Sequence, residues 1–337
     1  MKHAISLCKP EADIYEVCQQ VDAYIEAELQ KVYNGKKAKK IDRGISFPCC
    51  ISVNHIVGHH SPLKGESAVL KAGEIAKIVC GAHIDGFAVN TAHTIVVGDK
   101  AAPRAADAIK AAHDCLRAAE RLIKSGSTNA EVTEHMNKVA AEYGCNMVEG
   151  VLSHQAQKYV IDGNKAIISK EQPLQNVEEW QFEKGEVIHL DVYVSTGEGK
   201  TKLCDQRTTV FKRQLQNVYN LKLQKARTFF AEACKRFPSL PFSVRAFEDQ
   251  IGAKVGVKEC IEHELIQDFP VLVEKDGEFV AHFKSTVAIA PSKTIVLGGA
   301  LSADTAKVAN AEHSVKDEAL KALIARDLWQ SEKAKKK

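Results

Sequence analysis

Lys77–Ile95 reads KIVCGAHIDGFAVNTAHTI. Both ends of the stretch are rich in apolar residues, and Asp85-Gly86 in the middle is a turn pair that closes tight hairpins. The spacing predicts two buried strands joined at that turn. Outward from this hairpin, Gly44–Val53 is strand-like. Glu11–Val32 carries Ile14, Val17, Val21, Ile25 and Leu29 at helical intervals and stops at Asn34-Gly35. On the other side, Arg104–Ile123 is an amphipathic helix, broken by Ser125-Gly126. Thr128 and Glu131 have capping-box spacing and open a helix to Tyr143. Gly185–Ser195 and Phe279–Ile289 read as strands, and Val218–Phe237, Phe247–Val255 and Ser314–Leu328 as helices. A strand–helix–helix–strand order thus occurs twice, which places the chain in the α+β (α/β) class.

With 337 residues the chain can form two ordinary domains or one large duplicated one. Its 45% hydrophobic and 26% charged content is that of a globular protein, and no apolar run of about 18 residues marks a membrane span. The start, MKHAISLCKPEAD, lacks the apolar core of a secretory signal. Ten cysteines are scattered without CxxC pairs and read as reduced thiols of a cytosolic or nuclear protein. The net charge is only +3, yet Lys36, Lys37, Lys39, Lys40 and Arg43 cluster in one segment, and Lys333, Lys335, Lys336 and Lys337 end the chain. Such local basic clusters on a near-neutral chain point to contact with a polyanion.

The segments GISFPCCISVNHIVGHHSP (Gly44–Pro62), KIVCGAHIDGFAVNTAHT and VLSHQAQKYVIDG (Val151–Gly163) resemble the type 2 methionine aminopeptidases. STGEGK (Ser195–Lys200), QRTTVFKR (Gln206–Arg213), RAFED (Arg245–Asp249), GEFVAHFK (Gly277–Lys284) and DEALKALI (Asp317–Ile324) are similar, in the same order, to a non-peptidase branch, the proliferation-associated or ErbB-receptor-binding proteins. The resemblance implies the pita-bread fold (methionine aminopeptidase/creatinase-like), pseudo-two-fold duplicated, as a single domain over residues 1–330. A helical insertion is expected at about 206–273, and a basic disordered tail at 331–337.

The same resemblance carries the peptidase's five metal ligands onto Val79, Asn90, His154, Asp191 and Lys284. Two divalent ions held close together need bridging carboxylates. Valine offers no ligand, asparagine only a neutral oxygen, and Lys284 puts an ammonium where dications would sit, so no cofactor is expected. That ammonium is instead the natural partner of Asp191. His55 and Asp162 fall on substrate-side positions of the old pocket. IEHEL around His263 lacks the second histidine of a zinc motif, and GEGK at Gly197–Lys200 lacks the spacing of a phosphate loop.

The function implied is that of a pseudoenzyme that binds structured RNA and the large ribosomal subunit, rRNA and ribosomal proteins alike, near the nascent-chain exit. It would work in the cytoplasm and also in the nucleus and nucleolus, without a membrane. Besides the two terminal clusters, the candidate contacts are Lys200, Lys202, Lys212, Arg213, Lys222, Lys225 and Arg227, since such cations grip phosphates without reading sequence. The rival readings are a protein–protein adaptor or corepressor, with partners through the final helix, and an active metallo-aminopeptidase.

Overall fold

The Lys77–Ile95 stretch forms two strands near the middle of a nine-stranded sheet, β3 (Ile75–Ile84) and β4 (Phe87–Val96). Asp85 and Gly86 both have positive φ, 54° and 79°, as a two-residue hairpin of this type demands. The structure, a computed structural model, describes residues 1–33, 35, 41–172, 177–299 and 301–331. The sheet runs β1 (Arg43–Val53), β3, β4, β14 (Val280–Ile289), β8 (Val187–Ser195), β6 (Leu152–Ala156) and β7 (Ala166–Ile168). β15 (Thr294–Gly298) adds to β14, and β5 (Asn146–Met147) to β8.

The two halves meet at the β4–β14 seam, where Lys284–Ala92 is the ladder pair. Threonine hydroxyls bridge the rest. Thr94 Oγ1 donates to the His282 carbonyl at 2.8 Å and accepts from the His282 amide at 2.7 Å. Thr286 Oγ1 does the same for Asn90, donating at 3.0 Å and accepting at 3.1 Å. Each half thus lends one threonine to the other's backbone, as a two-fold duplication requires. Buried backbone groups left apart by diverging strands need such partners.

Helices cover the opposite face of each half. α1 (Lys2–Leu7) and α2 (Ile14–Leu29) pack Ala4, Ile14, Val17 and Val21 against Cys49, Ile51 and Ile78. α3 (Pro103–Leu122) packs under β8 and β14, and α4 (Asn129–Glu142) packs beside it under β5 and β7. The buried face of α3 is largely alanine, from Ala105 to Ala119, which lets its backbone come close to the sheet. Thr128 closes the capping box with Glu131 at the start of α4. α7 (Glu318–Ala325) is capped by Asp317 and buries Leu320, Leu323 and Ile324 in the same core. Leu320, Leu323 and Ile324, whose i, i+3, i+4 spacing reads most simply as core-facing, are therefore covered by α3, and no apolar face of this helix is left over for the partner that was the alternative.

The segment expected as a helical insertion holds α5 (Gln224–Arg236) and α6 (Gln250–Glu262), but also a three-stranded sheet of β10 (Val210–Arg213), β11 (Phe242–Ser243) and β12 (Ile266–Asp268). Its own core is built from Phe211, Phe229, Phe242 and Phe247. The buried guanidinium of Arg245 ties it to the first half by reaching Asp22 of α2, Ser61 and, at 3.3 Å, the Cys49 carbonyl. A second small sheet joins β2 (Ile56–Gly58), β13 (Leu272–Val273) and β9 (Lys202–Leu203). All ten cysteines are free thiols, eight of them buried.

Candidate functional site

Strand register sets the old ligand positions on one face of the sheet. Val79 pairs with Ala92, Ala92 with Lys284, and Lys284 with Asp191, a single row across four neighbouring strands. Asn90 lies two residues along from Ala92, and His154 pairs with His189, two residues from Asp191. Side chains two apart on a strand share a face, so all five positions converge.

The centre is an ion pair. Lys284 Nζ lies 2.5 Å from Asp191 Oδ2, and His282 Nε2 bonds Asp191 Oδ1. Burial alone would push the Asp191 carboxyl up, but Lys284 and His282 hold it well below the usual carboxylate range. Burial pushes His282 down, and its charged neighbours Lys284 and Lys77 act the same way, against the pull of Asp191. The imidazole therefore donates to Asp191 as a neutral group and Lys284 supplies the positive charge. Tyr193 stacks on His282 at 3.6 Å between ring centres.

Around this pair the pocket is filled. Val79 packs with Phe47, Cys50, Ala92 and Val210, flanked by Ile161 and Phe269. The Lys284 ammonium lies 5.9 Å from the Phe47 ring centre. Asn90 Oδ1 accepts from Ser46 Oγ at 2.6 Å, and its side chain occupies the space that a Cβ on Gly81 would need. His154 Nδ1 is bonded to the Gly163 carbonyl at 3.0 Å. These residues do not fit a pair of metal ions. Val79 offers no donor, Asn90 is committed to Ser46, and Asp191 is neutralised by its own chain. Elsewhere, Asp107, Glu312 and His313 are the one group of three donors within metal reach of each other among the described residues. Asp107 is already committed there, accepting from the His313 amide at 2.9 Å, His313 Nδ1 at 2.8 Å and Arg104 at 3.2 Å.

Two sequence expectations change. His55 does not face the old pocket. The chain reverses at Asn54, whose φ is 47°, and His55 lines a separate cavity of about 810 Å3 beside Asp276. The pocket-facing histidine is His59, whose ring meets Phe47 and Phe269 at 5.9 and 5.4 Å. Burial pushes its pKa down to about 4, with Asp191 and Lys284 both close enough to act on it. Lys212 is not free for RNA. Its side chain is only 13% exposed and pairs with Asp162.

The other basic candidates separate by partner. Arg43 holds the Val32 and Tyr33 carbonyls, Arg213 the Pro238 carbonyl, and Arg227 those of Leu221 and Lys222. Lys200 pairs with Glu198 at 2.7 Å. Lys202, Lys222 and Lys225 are exposed. Lys36, Lys37, Lys39, Lys40, Lys333, Lys335, Lys336 and Lys337 lie outside the described residues. Sequence reading missed His59, His189, His282 and the fully buried Lys77, whose Nζ donates to the Asn54 carbonyl at 2.8 Å. The HFK run offered a signal for His282, since alternation on a strand puts it on the same face as Lys284.

The chain matches the metallopeptidase family M24 over residues 1–209. It is 41% identical to proliferation-associated protein A of Dictyostelium discoideum, covering 100% of this chain and 87% of that one. The solved structure of a thermophilic Arx1 superposes with a TM-score of 0.86 at 30% identity, over 98% of this chain and 94% of that one. The methionine aminopeptidase of Thermotoga maritima superposes at a TM-score of 0.56 and 18% identity, covering 88% and 89% of the two chains. The duplicated sheet with a helix pair beneath each half is the pita-bread fold that these structures share.

Proposed function

Since the chain belongs to metallopeptidase family M24, on its proliferation-associated branch, and is a pseudoenzyme within it, we propose that it is a docking protein of the large ribosomal subunit and of structured RNA. Its places of work are the cytoplasm and nucleolus. Membership of the branch supports the reading, and the Lys284–Asp191 pair excludes the rival one of a metallo-aminopeptidase. With Phe47, Val210 and Phe269 packed around Val79 beside that pair, the outer surface is the working part.

Ribosome pelleting across a salt series tests this. Each phosphate contact releases condensed counterions, so about six contacts weaken binding on the order of a thousandfold between about 50 and 200 mM salt. Replacing Lys202, Lys222 and Lys225 together with glutamate should lower affinity and flatten the salt slope. Salt-insensitive binding, or none at low salt, would overturn the reading.

One observation favours the adaptor alternative. Leu215, Val218, Leu223 and Ile251 of the insertion are 62%, 93%, 52% and 72% exposed. Exposed apolar side chains in one segment suit a protein partner. In that case Leu215→Ser with Val218→Ser abolishes binding, and the lysine variant does not.

A further inference from the structure

A cavity of about 200 Å3 lies on the helical side of the sheet, between the end of α1, β4, α3 and the chain around Leu301–Val308. It is separate from the ion pair. His93 and Ile95 of β4, which line it, alternate with Ala92 and pair with Ile78 and Ala76, which face the helices. Its walls are mostly apolar, formed by Ile5, Cys8, Ile95, Val96, Ile109 and Val308. Of the two buried polar residues in the lining, Thr94 spends its hydroxyl on the His282 backbone, whereas His93 is only 4% exposed and its Nδ1 has no hydrogen-bond partner.

We propose that this cavity is a binding site for a small, neutral, mostly apolar molecule bearing one hydrogen-bond acceptor, which the His93 imidazole receives. Size, charge and tautomer each narrow the class. An apolar cavity of roughly 150 Å3 holds benzene, so this one suits a molecule of about bicyclic size. The charges at the rim are committed. Lys307 Nζ donates to the Val96 carbonyl at 3.1 Å, and the Asp304 carboxylate accepts from the Ala306 and Lys307 amides at 3.2 and 3.4 Å. His93 carries no charge at neutral pH, because burial pushes its pKa down to about 4, helped by the nearby His113. Its sealed Nδ1 has no acceptor within reach. Orphaned buried N–H groups are rarer than under-satisfied acceptors. The proton therefore belongs on Nε2, which is left as the donor that meets a guest. The proposal is independent of ribosome docking.

The probes are 1-indanone and indane, alike in shape but with and without a carbonyl acceptor, titrated calorimetrically into the full chain. Indanone is expected to bind one to one and about tenfold tighter than indane, the worth of one hydrogen bond. His93→Phe should erase that difference. Val308→Phe should fill the cavity and abolish binding of both, with the folded circular dichroism spectrum retained. Saturable binding absent at millimolar indanone overturns the proposal, as does equal affinity for the two probes in the unaltered chain. Neither of those outcomes depends on whether a variant folds. Binding that persists in a folded Val308→Phe overturns it as well.

Discussion

Two lysines on one sheet face, Lys284 half-buried and Lys77 fully buried, make opposite predictions. Lys284 neutralises Asp191, so Lys284→Met leaves a buried carboxylate without its cation and should cost about 3 kcal/mol in urea unfolding. Adding Asp191→Asn to Lys284→Met should restore most of that loss, because no unpaired charge remains. A Lys284→Met variant as stable as the parent would show that the pair does not neutralise the centre. Lys77 is the contrast. Burial pushes its pKa well down, and among the described residues its Nζ has only the Asn54 carbonyl as acceptor, with no carboxylate bonded to it. That carbonyl also accepts from the Val280 amide at 3.1 Å. Lys77→Met should therefore change stability by less than about 1 kcal/mol, or raise it. The Lys284–Asp191 partnership was legible in the sequence, because two known positions of one ligand set had become opposite charges. His59 and His282 were not legible as members. The run NHIVGHH offers three histidines, and the turn at Asn54 decides which one reaches the pocket.

At the level of elements, the seam between β4 and β14 is the point of least redundancy. Thr94 and Thr286 each satisfy one amide and one carbonyl across it. Thr94→Val or Thr286→Val keeps shape and strands two buried backbone groups, for a loss of about 3 kcal/mol each by denaturant midpoint. Thr91→Val nearby is the control. Its hydroxyl bonds two carbonyls at 3.2 and 3.4 Å in a part-buried setting, and its loss should cost under about 1 kcal/mol. The central hairpin, β8, β14 and α2 to α4 were legible because burial, period and caps agree in each. α5 was expected from Val218 and starts at Gln224, because the preceding chain lies across α6, where the Glu259 carboxylate accepts from the Lys222 and Leu223 amides. α6 was expected to end at Val255 and runs to Glu262. β6 was not legible at all. Its residues LSHQA lack a strand pattern, and pairing with β8 imposes the extended form.

Over the whole molecule, buried neutral histidines should set the acid limit of stability. Burial is the leading cause in each of His59, His93 and His189, and pushes each pKa down to about 4. In the unfolded chain these groups titrate near 6.5. A depressed pKa means that the unfolded state binds protons first, so the contribution is full above about pH 6.5 and is lost as pH falls towards 4. Each histidine then forfeits roughly 2 kcal/mol by pH 5. Melting temperature should fall through this window, and less steeply in His189→Asn. Asp191 acts later, because a carboxyl held below its ordinary range loses its contribution only below about pH 4. The ion pair at the centre of the sheet also has a historical consequence. With Lys284 supplying the charge, Asp191 needs no metal ion to balance it. The way back is barred one step at a time. Lys284→Glu alone sets two acids side by side with nothing between them. Val79→Asp or Asn90→Asp alone buries an acid beside a cation already claimed by Asp191. Only several changes together could recover a metal centre, so the lysine works as a ratchet against its return.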